Sequence, residues 1–151
     1  IDYKFHNHRA YSHAYGRFLV MKLLSEGRQD FDLVTWVPLS RRRLMERGFN
    51  QVRKIAVTVS KEMDIPLVRT LHKPVHNLPQ SSIVGDAQRR ANTLGVYKPY
   101  RAKRFAGKRI LLLDDIVTTG TTASECARVL MTYGAKEVYF AAVAATPEYK
   151  R

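Results

Sequence analysis

The stretch that most constrains this chain is Ile110 to Thr122, ILLLDDIVTTGTT. Ile110, Leu111, Leu112 and Leu113 form an apolar run short enough for a buried parallel strand, and two carboxylates and a small hydroxylated loop follow at once. The strand is expected to end at the acidic pair. Beyond the loop, Ala123, Cys126, Ala127, Leu130 and Tyr133 fall on one helical stripe, and Gly134 stands where a helix commonly ends. Strand, acidic pair, Thr/Gly turn and helix in this order make an anion site: Thr118, Thr119, Gly120, Thr121 and Thr122 put hydroxyls and backbone N–H groups at the positive end of a helix. Gly120 allows a tight turn and close approach to a ligand, while Asp114 and Asp115 can accept hydrogen bonds from vicinal hydroxyls. A ribose 5-phosphate satisfies both halves.

LLLDDIVTTGTT resembles the phosphoribosyl pyrophosphate (PRPP) motif of type I phosphoribosyltransferases. The resemblance implies that Asp114 and Asp115 contact the ribose hydroxyls and that Thr118, Thr119, Gly120, Thr121 and Thr122 hold the 5-phosphate. It also implies the fold: α/β, a mostly parallel central sheet flanked by helices, with a small hood region. The 151 residues are read as a single domain of this kind, large enough to bury a core. The chain opens on Ile1 rather than methionine, which leaves room for a segment upstream.

Upstream of the motif, Tyr15 to Leu24 is densely apolar and reads as a packed helix ending before Gly27, whereas residues 1–9 show no period. Asp32 to Val37 reads as a first central strand closed by Pro38. Between Ser40 and Lys54 stand six basic residues, Arg41, Arg42, Arg43, Arg47, Arg53 and Lys54, against the single acid Glu46. Most charge runs are solvated helix faces, but this one follows the carboxyl end of a strand, where open parallel sheets bind ligands. In type I phosphoribosyltransferases the loop after this strand holds the pyrophosphate; Ser40, Arg41 and Arg42 occupy the matching place. The wording VPLSRRRLMERGFNQ further resembles the late-competence ComF group.

A helix with Val52, Ile55, Ala56, Val59 and Met63 on one face follows, ending at Asp64 to Pro66, and Leu67 to Leu71 reads as a short strand. Lys73 to Asn92 has almost no period, and a stretch so long in a compact domain is usually functional or mobile. In the enzymes a flexible loop in this region closes over PRPP. Pro79, Gln80, Arg89 and Asn92 match the ComF pattern of PQ followed by RxxN, which assigns Gln80, Arg89 and Asn92 to that loop. Leu94 to Tyr97 reads as a strand, and Val138 to Val143 as the last core strand. The histidines His6, His8 and His13 have no Cys or carboxylate partner at matching spacing, so no metal site is expected of them.

Lys plus Arg total 26 against 13 acidic residues, a formal charge of +13, more than solubility asks for and more than one small anion needs. A polyphosphate partner such as nucleic acid is the natural inference. Arg41, Arg42, Arg43 and Arg47 form one candidate contact surface; Arg101, Lys103 and Arg104 form another. The latter lie in Lys98 to Arg109, which holds no acid and has Tyr97, Tyr100 and Phe105 interleaved or adjacent. Cations among aromatics suit a single strand whose bases stack; an exposed basic connector is the equal alternative. A single cysteine, Cys126, makes neither an internal disulfide nor a Cys-rich zinc site, and a reducing cytoplasm is the consistent setting. No apolar run approaches the roughly 18 residues of a membrane span, and no GxxxxGK[ST] is present, so any helicase motor comes from a partner.

The ComF resemblance implies a protein of natural transformation that handles incoming single-stranded DNA in the cytoplasm beside a DNA-translocating helicase. It also implies, in many members, an N-terminal zinc ribbon with paired cysteines; none is found here and no zinc is carried over. The alternative is a PRPP-dependent phosphoribosyltransferase with Mg²⁺ bridging diphosphate and ribose oxygens, although no base-recognition segment is identifiable. A third reading is an RNA-binding regulator that senses PRPP or a nucleotide.

Overall fold

The computed structural model describes residues 2–39, 41–74 and 95–147, without the side chains of 2–9, 41, 43 and 47. In chain order the elements are α1 (Asp2–Ser25), β1 (Leu33–Trp36), α2 (Arg41–Arg47), α3 (Gln51–Met63), β2 (Leu71–His72), β3 (Lys98–Pro99), a 3₁₀ turn (Ala102–Arg104), β4 (Arg109–Val117), α4 (Thr121–Thr132) and β5 (Glu137–Ala145). β4 is the middle of a three-stranded sheet, ordered β1-β4-β5, in which both pairings are parallel. Leu33 to Trp36 lie opposite Ile110 to Leu113, and Ile110 to Leu113 lie opposite Val138 to Ala141. A single parallel bridge from Val34 to Leu67 prolongs the sheet beyond β1.

Strand alternation divides the core into two layers. Ile110 and Leu112 meet Leu33, Cys126, Val129 and Leu130 beneath α4, together with Leu71, Val96, Tyr97 and Phe105 of the small β2–β3 unit. Leu111 and Leu113 meet Val34, Trp36, Leu19, Leu23, Ile55 and Val59 beneath α1 and α3. Ile110, Leu111, Leu112 and Leu113 all have no exposed surface, so each contributes about 1.5–3 kcal/mol of burial. That is why the run has no polar alternation: both faces of the strand are covered. α1 and α3 meet at Gly16, where a Cβ would stand 2.6 Å from Thr58 Cβ. Between β1 and the segment before β2, the fully buried Thr35 and Thr70 satisfy each other through a 2.8 Å hydroxyl–hydroxyl hydrogen bond.

Several sequence expectations need correction. α1 begins at Asp2 rather than near Tyr15. Its periodicity is obscured because Tyr11, Phe18, Met21 and Leu24 are exposed while Ser12 and Gly16 face the core. Leu67 to Leu71 is not a strand: Leu67 makes the isolated bridge and β2 spans only Leu71–His72. Within the expected strand Leu94 to Tyr97, Gly95 and Val96 form a turn, and the pairing strand is Lys98–Pro99. A helix, α2, forms already at Arg41 to Arg47, ahead of the one expected from Val52. β5 is a half-buried strand with no partner beyond β4 among the described residues, not a fully covered core strand. Within α4, Cys126 and Leu130 face the core as expected, joined by Val129, while Tyr133 is half exposed.

Candidate ribose-phosphate site

Asp114 and Asp115 belong to β4 rather than following it. The ladder with β5 continues past Leu113, pairing Asp114 with Ala142, Ile116 with Ala144 and Val117 with Ala145. Backbone pairing survives the change to polar side chains because only the backbone takes part in the ladder. Asp114 Oδ1 accepts the Asp115 N–H and Asp115 Oδ1 accepts the Ile116 N–H, both at 2.8 Å, so each carboxyl curls over the next peptide. Burial of the Asp114 carboxyl, then a hydrogen bond to the Asp115 side chain and its charge, push Asp114 well above the ordinary carboxylate range. Paired carboxyl groups can donate to or accept from vicinal hydroxyls, each of which both donates and accepts.

The loop that follows is shaped for an anion. Gly120 takes φ 82° and ψ 0°, a left-handed conformation that admits glycine at little cost, and it leaves the start of α4 without a capping side chain. Thr119 Oγ1 accepts the Thr121 N–H at 3.3 Å and lies 2.8 Å from Thr121 Oγ1. Thr118 is fixed from the other side: the Thr146 hydroxyl donates to its carbonyl at 3.5 Å, and Thr146 N–H donates to Val117 O at 3.0 Å. Thr118, Thr119, Gly120, Thr121 and Thr122 are all partly exposed, which leaves hydroxyls and backbone accessible at the carboxyl end of the central strand.

The basic segment forms its own local structure. Arg41 to Arg47 is helical, and exposed Arg42 pairs with Glu46 at 3.2 Å. Ser40 lies outside the described residues, as do Gln80, Arg89 and Asn92 and the side chains of Arg41, Arg43 and Arg47. The RGFNQ wording has a conformational cause: Gly48 has φ 77°, and Asn50 caps α3 by accepting the Val52 and Arg53 N–H groups at 3.0 and 3.2 Å. Arg53 then sits over the Trp36 ring at 5.6 Å, setting a cation at the carboxyl end of β1. Sequence reasoning counted Arg53 among the basic residues without placing it there.

Glu125 is a residue that the sequence reading does not single out. Glu125, almost fully buried, accepts the Gly95 N–H at 3.2 Å and is held by Arg128, whose hydrogen bond keeps its pKa below the ordinary value. It ties the chain entering β3 to the helix of the Thr/Gly loop; the only sequence signal was the i,i+3 spacing to Arg128. Cys126 is fully buried, with its thiol pushed well up by desolvation, which fits a packing residue rather than a nucleophile. Tyr97 and Phe105 are 5% and 0% exposed, so neither offers a ring for a base to stack on.

Comparison with known proteins accords with this geometry. A model of the phosphoribosyl transferase domain matches residues 53–151. The chain belongs to this family. It is similar to competence protein F of Haemophilus influenzae, 30% identical over 103 residues that cover 68% of this chain and 45% of that protein. It is also similar to the DNA utilization protein YhgH of Escherichia coli K12, 29% identical over 145 residues covering 89% of this chain and 60% of that one. These relatives place this phosphoribosyl transferase domain with the ComF group, and the chain spans roughly half their length. Among solved structures, a purine phosphoribosyltransferase from Pyrococcus horikoshii matches with a TM-score of 0.55 at 19% identity, covering 93% of this chain and 76% of that one. That likeness is one of fold, and the fold is the type I phosphoribosyltransferase α/β sheet. No helix among the described residues is long and apolar enough to cross a membrane.

Proposed function

We propose that this protein is a ComF-like competence component that handles incoming single-stranded DNA in the cytoplasm, beside a DNA-translocating helicase, and that it carries a PRPP-type ribose-phosphate site. One observation carries the second half: an acidic pair and a Thr/Gly loop stand together at the carboxyl end of the central strand. Asp114 and Asp115 would meet the two ribose hydroxyls, and Thr118, Thr119, Gly120, Thr121 and Thr122 the 5-phosphate. Ser40, Arg41 and Arg42 would face the diphosphate, with Gln80, Arg89 and Asn92 in the covering loop. An Mg²⁺ ion would be held chiefly through oxygens of the bound ligand, beside the carboxyl pair Asp114 and Asp115. Mg²⁺ would neutralise diphosphate charge. The names of the relatives and the charge of +13 support the DNA half, with Arg41, Arg42, Arg43, Arg47, Arg101, Lys103 and Arg104 as strand contacts.

The test is a pair of titrations, PRPP with Mg²⁺ followed by calorimetry and a labelled single strand followed by anisotropy at several salt concentrations. Wild type should bind both, the strand more weakly as salt rises; Asp114→Ala with Asp115→Ala should lose PRPP and keep the strand. No affinity for either ligand overturns the proposal. An intact acidic pair also favours a second reading, transfer of the ribosyl group of PRPP to a nitrogen acceptor; pyrophosphate release with any nucleobase would establish it, and none across the common bases would count against it.

A further inference from the structure

One flank of the molecule gathers exposed cations on two neighbouring segments. Pairing of Leu71 with Pro99 and of His72 with Lys98, and the 2.8 Å bond from Tyr100 N–H to Thr70 O, lay RTLHK (69–73) beside YKPYRAKR (97–104). Neither segment contains a carboxylate. Arg69, Lys98, Arg101, Lys103 and Arg104 are exposed. Among the described residues no acid forms an ion pair with Arg69, Arg101, Lys103 or Arg104.

The aromatic residues here hold cations instead of offering faces to bases. The Arg69 guanidinium lies 4.2 Å from the Tyr100 ring centre and that of Arg101 5.2 Å, while His72 meets the ring edge-on at 6.3 Å. Arg101 adopts φ 49° and ψ 63°, a left-handed conformation that costs a non-glycine residue about 1 kcal/mol or more. It turns the chain from β3 into the 3₁₀ turn and places its guanidinium on Tyr100. A guanidinium stacked on a ring has already lost rotamer freedom, keeps its N–H edge outward and matches two phosphate oxygens at once.

We propose that Arg69, Tyr100 and Arg101, flanked by Lys98, Lys103 and Arg104, form a clamp for the phosphodiester backbone of a single strand, one that engages phosphates and not bases. The inference rests on the single-strand reading above and deepens it by naming the contact and its chemistry. Arg69 and Arg101 make the phosphate contacts, and Tyr100 is a positioning residue. Binding at this flank is indifferent to sequence, and it uses none of the ribose-phosphate residues.

The test compares a labelled oligothymidylate with an abasic deoxyribose-phosphate oligomer of equal length, each titrated across a salt series. Both should bind wild type within about threefold of one another, since phosphate contacts carry no sequence information. Arg69→Gln with Arg101→Gln should weaken both by about tenfold and lower the salt slope by about 1.4, as loss of two single-strand phosphate contacts requires. PRPP affinity should not change. Tyr100→Leu should weaken both probes with the charges intact, and Tyr100→Phe should restore them. Arg101→Gly relieves the left-handed strain, so it should raise the unfolding midpoint while weakening strand binding, which separates lost contact from lost fold. Thymidylate binding far tighter than abasic binding, or variants that bind both probes as wild type does, would overturn the clamp and leave strand binding standing. Wild type binding neither probe at low salt would overturn the clamp and the single-strand reading together.

Discussion

Asp114 is asked to do two things that conflict. Its carboxyl is buried against Asp115, which raises its pKa, yet it is one of the two carboxyls we propose for the ribose hydroxyls. Between the ordinary carboxylate pKa and the raised one, the folded protein holds a proton that the unfolded chain has released. Stability therefore falls as pH rises through that window and stays low above it. Asp32 has the opposite sign: hydrogen bonds from the Arg109 side chain and backbone hold it below the ordinary range, so its support is present at neutral pH and lost as pH falls through the lowered value. Asp114→Asn keeps an oxygen for the Asp115 N–H and removes the titration. The variant should be more stable than wild type near neutral pH, with the difference shrinking towards about pH 4, while its PRPP affinity falls. Urea unfolding at a series of pH values measures this; a variant less stable than wild type near neutral pH would mean that Asp114 is not strained by its surroundings.

At the scale of elements, close approach between α1 and α3 depends on one missing side chain. Alanine at Gly16 would favour the isolated helix by up to about 1 kcal/mol. The added Cβ would stand 2.6 and 2.7 Å from Thr58 Cβ and Cγ2 and 3.1 Å from Ile55 O, none of them the far end of a flexible side chain. Overpacking of this kind costs about 1–3 kcal/mol, so Gly16→Ala should be net destabilising, read as a lower urea midpoint with an unchanged m-value. A neutral or stabilising result would show that the two helices can slide apart. Comparing β4 with α1 shows why some of the fold is legible in sequence and some is not. Ile110 to Leu113 announces a covered strand because a strand with both faces covered reads as a continuous apolar run, and the Asp pair and the Thr/Gly loop stand out because small polar residues follow that run at once. α1 is less legible because its outward face carries Tyr11, Phe18, Met21 and Leu24, which erases the contrast between faces. The continuation of β4 through Asp114 and Asp115 was hidden because side-chain polarity does not report backbone pairing. Tyr97 and Phe105 look like stacking rings among cations until the fold buries them, and neighbouring charge in sequence carries no information about that. Glu125 and Arg69 act across long sequence separations, at Gly95 and Tyr100, that no local pattern encodes.

For the whole molecule, the charge of +13 acts on stability as well as on partners. Folding draws the like charges together, and the unfolded chain relieves them by expanding. Against this stand, among the described residues, the ion pairs of the Arg109 guanidinium with Asp30 and Asp32, Arg128 with Glu125, and the exposed pairs Arg42–Glu46 and Arg17–Glu62. Exposed pairs contribute about 0–1 kcal/mol each and are screened by the same salt that screens the repulsion. With twice as many basic as acidic residues, repulsion outweighs pairing, so adding sodium chloride from about 10 mM to about 300 mM should raise the unfolding temperature of the free protein by a few degrees. A saturating single strand should reverse that sign. A ligand that binds only the folded state stabilises it by an amount that grows with the ratio of its concentration to its Kd, and salt raises the Kd of a polyanion by reducing the gain from counterion release. The unfolding temperature should then start higher than that of the free protein and fall towards it as salt rises, the two curves meeting where binding is lost. A free-protein midpoint that drops with salt would show that the ion pairs dominate the folded state; curves that coincide at low salt would show that the excess charge is not used to hold a strand.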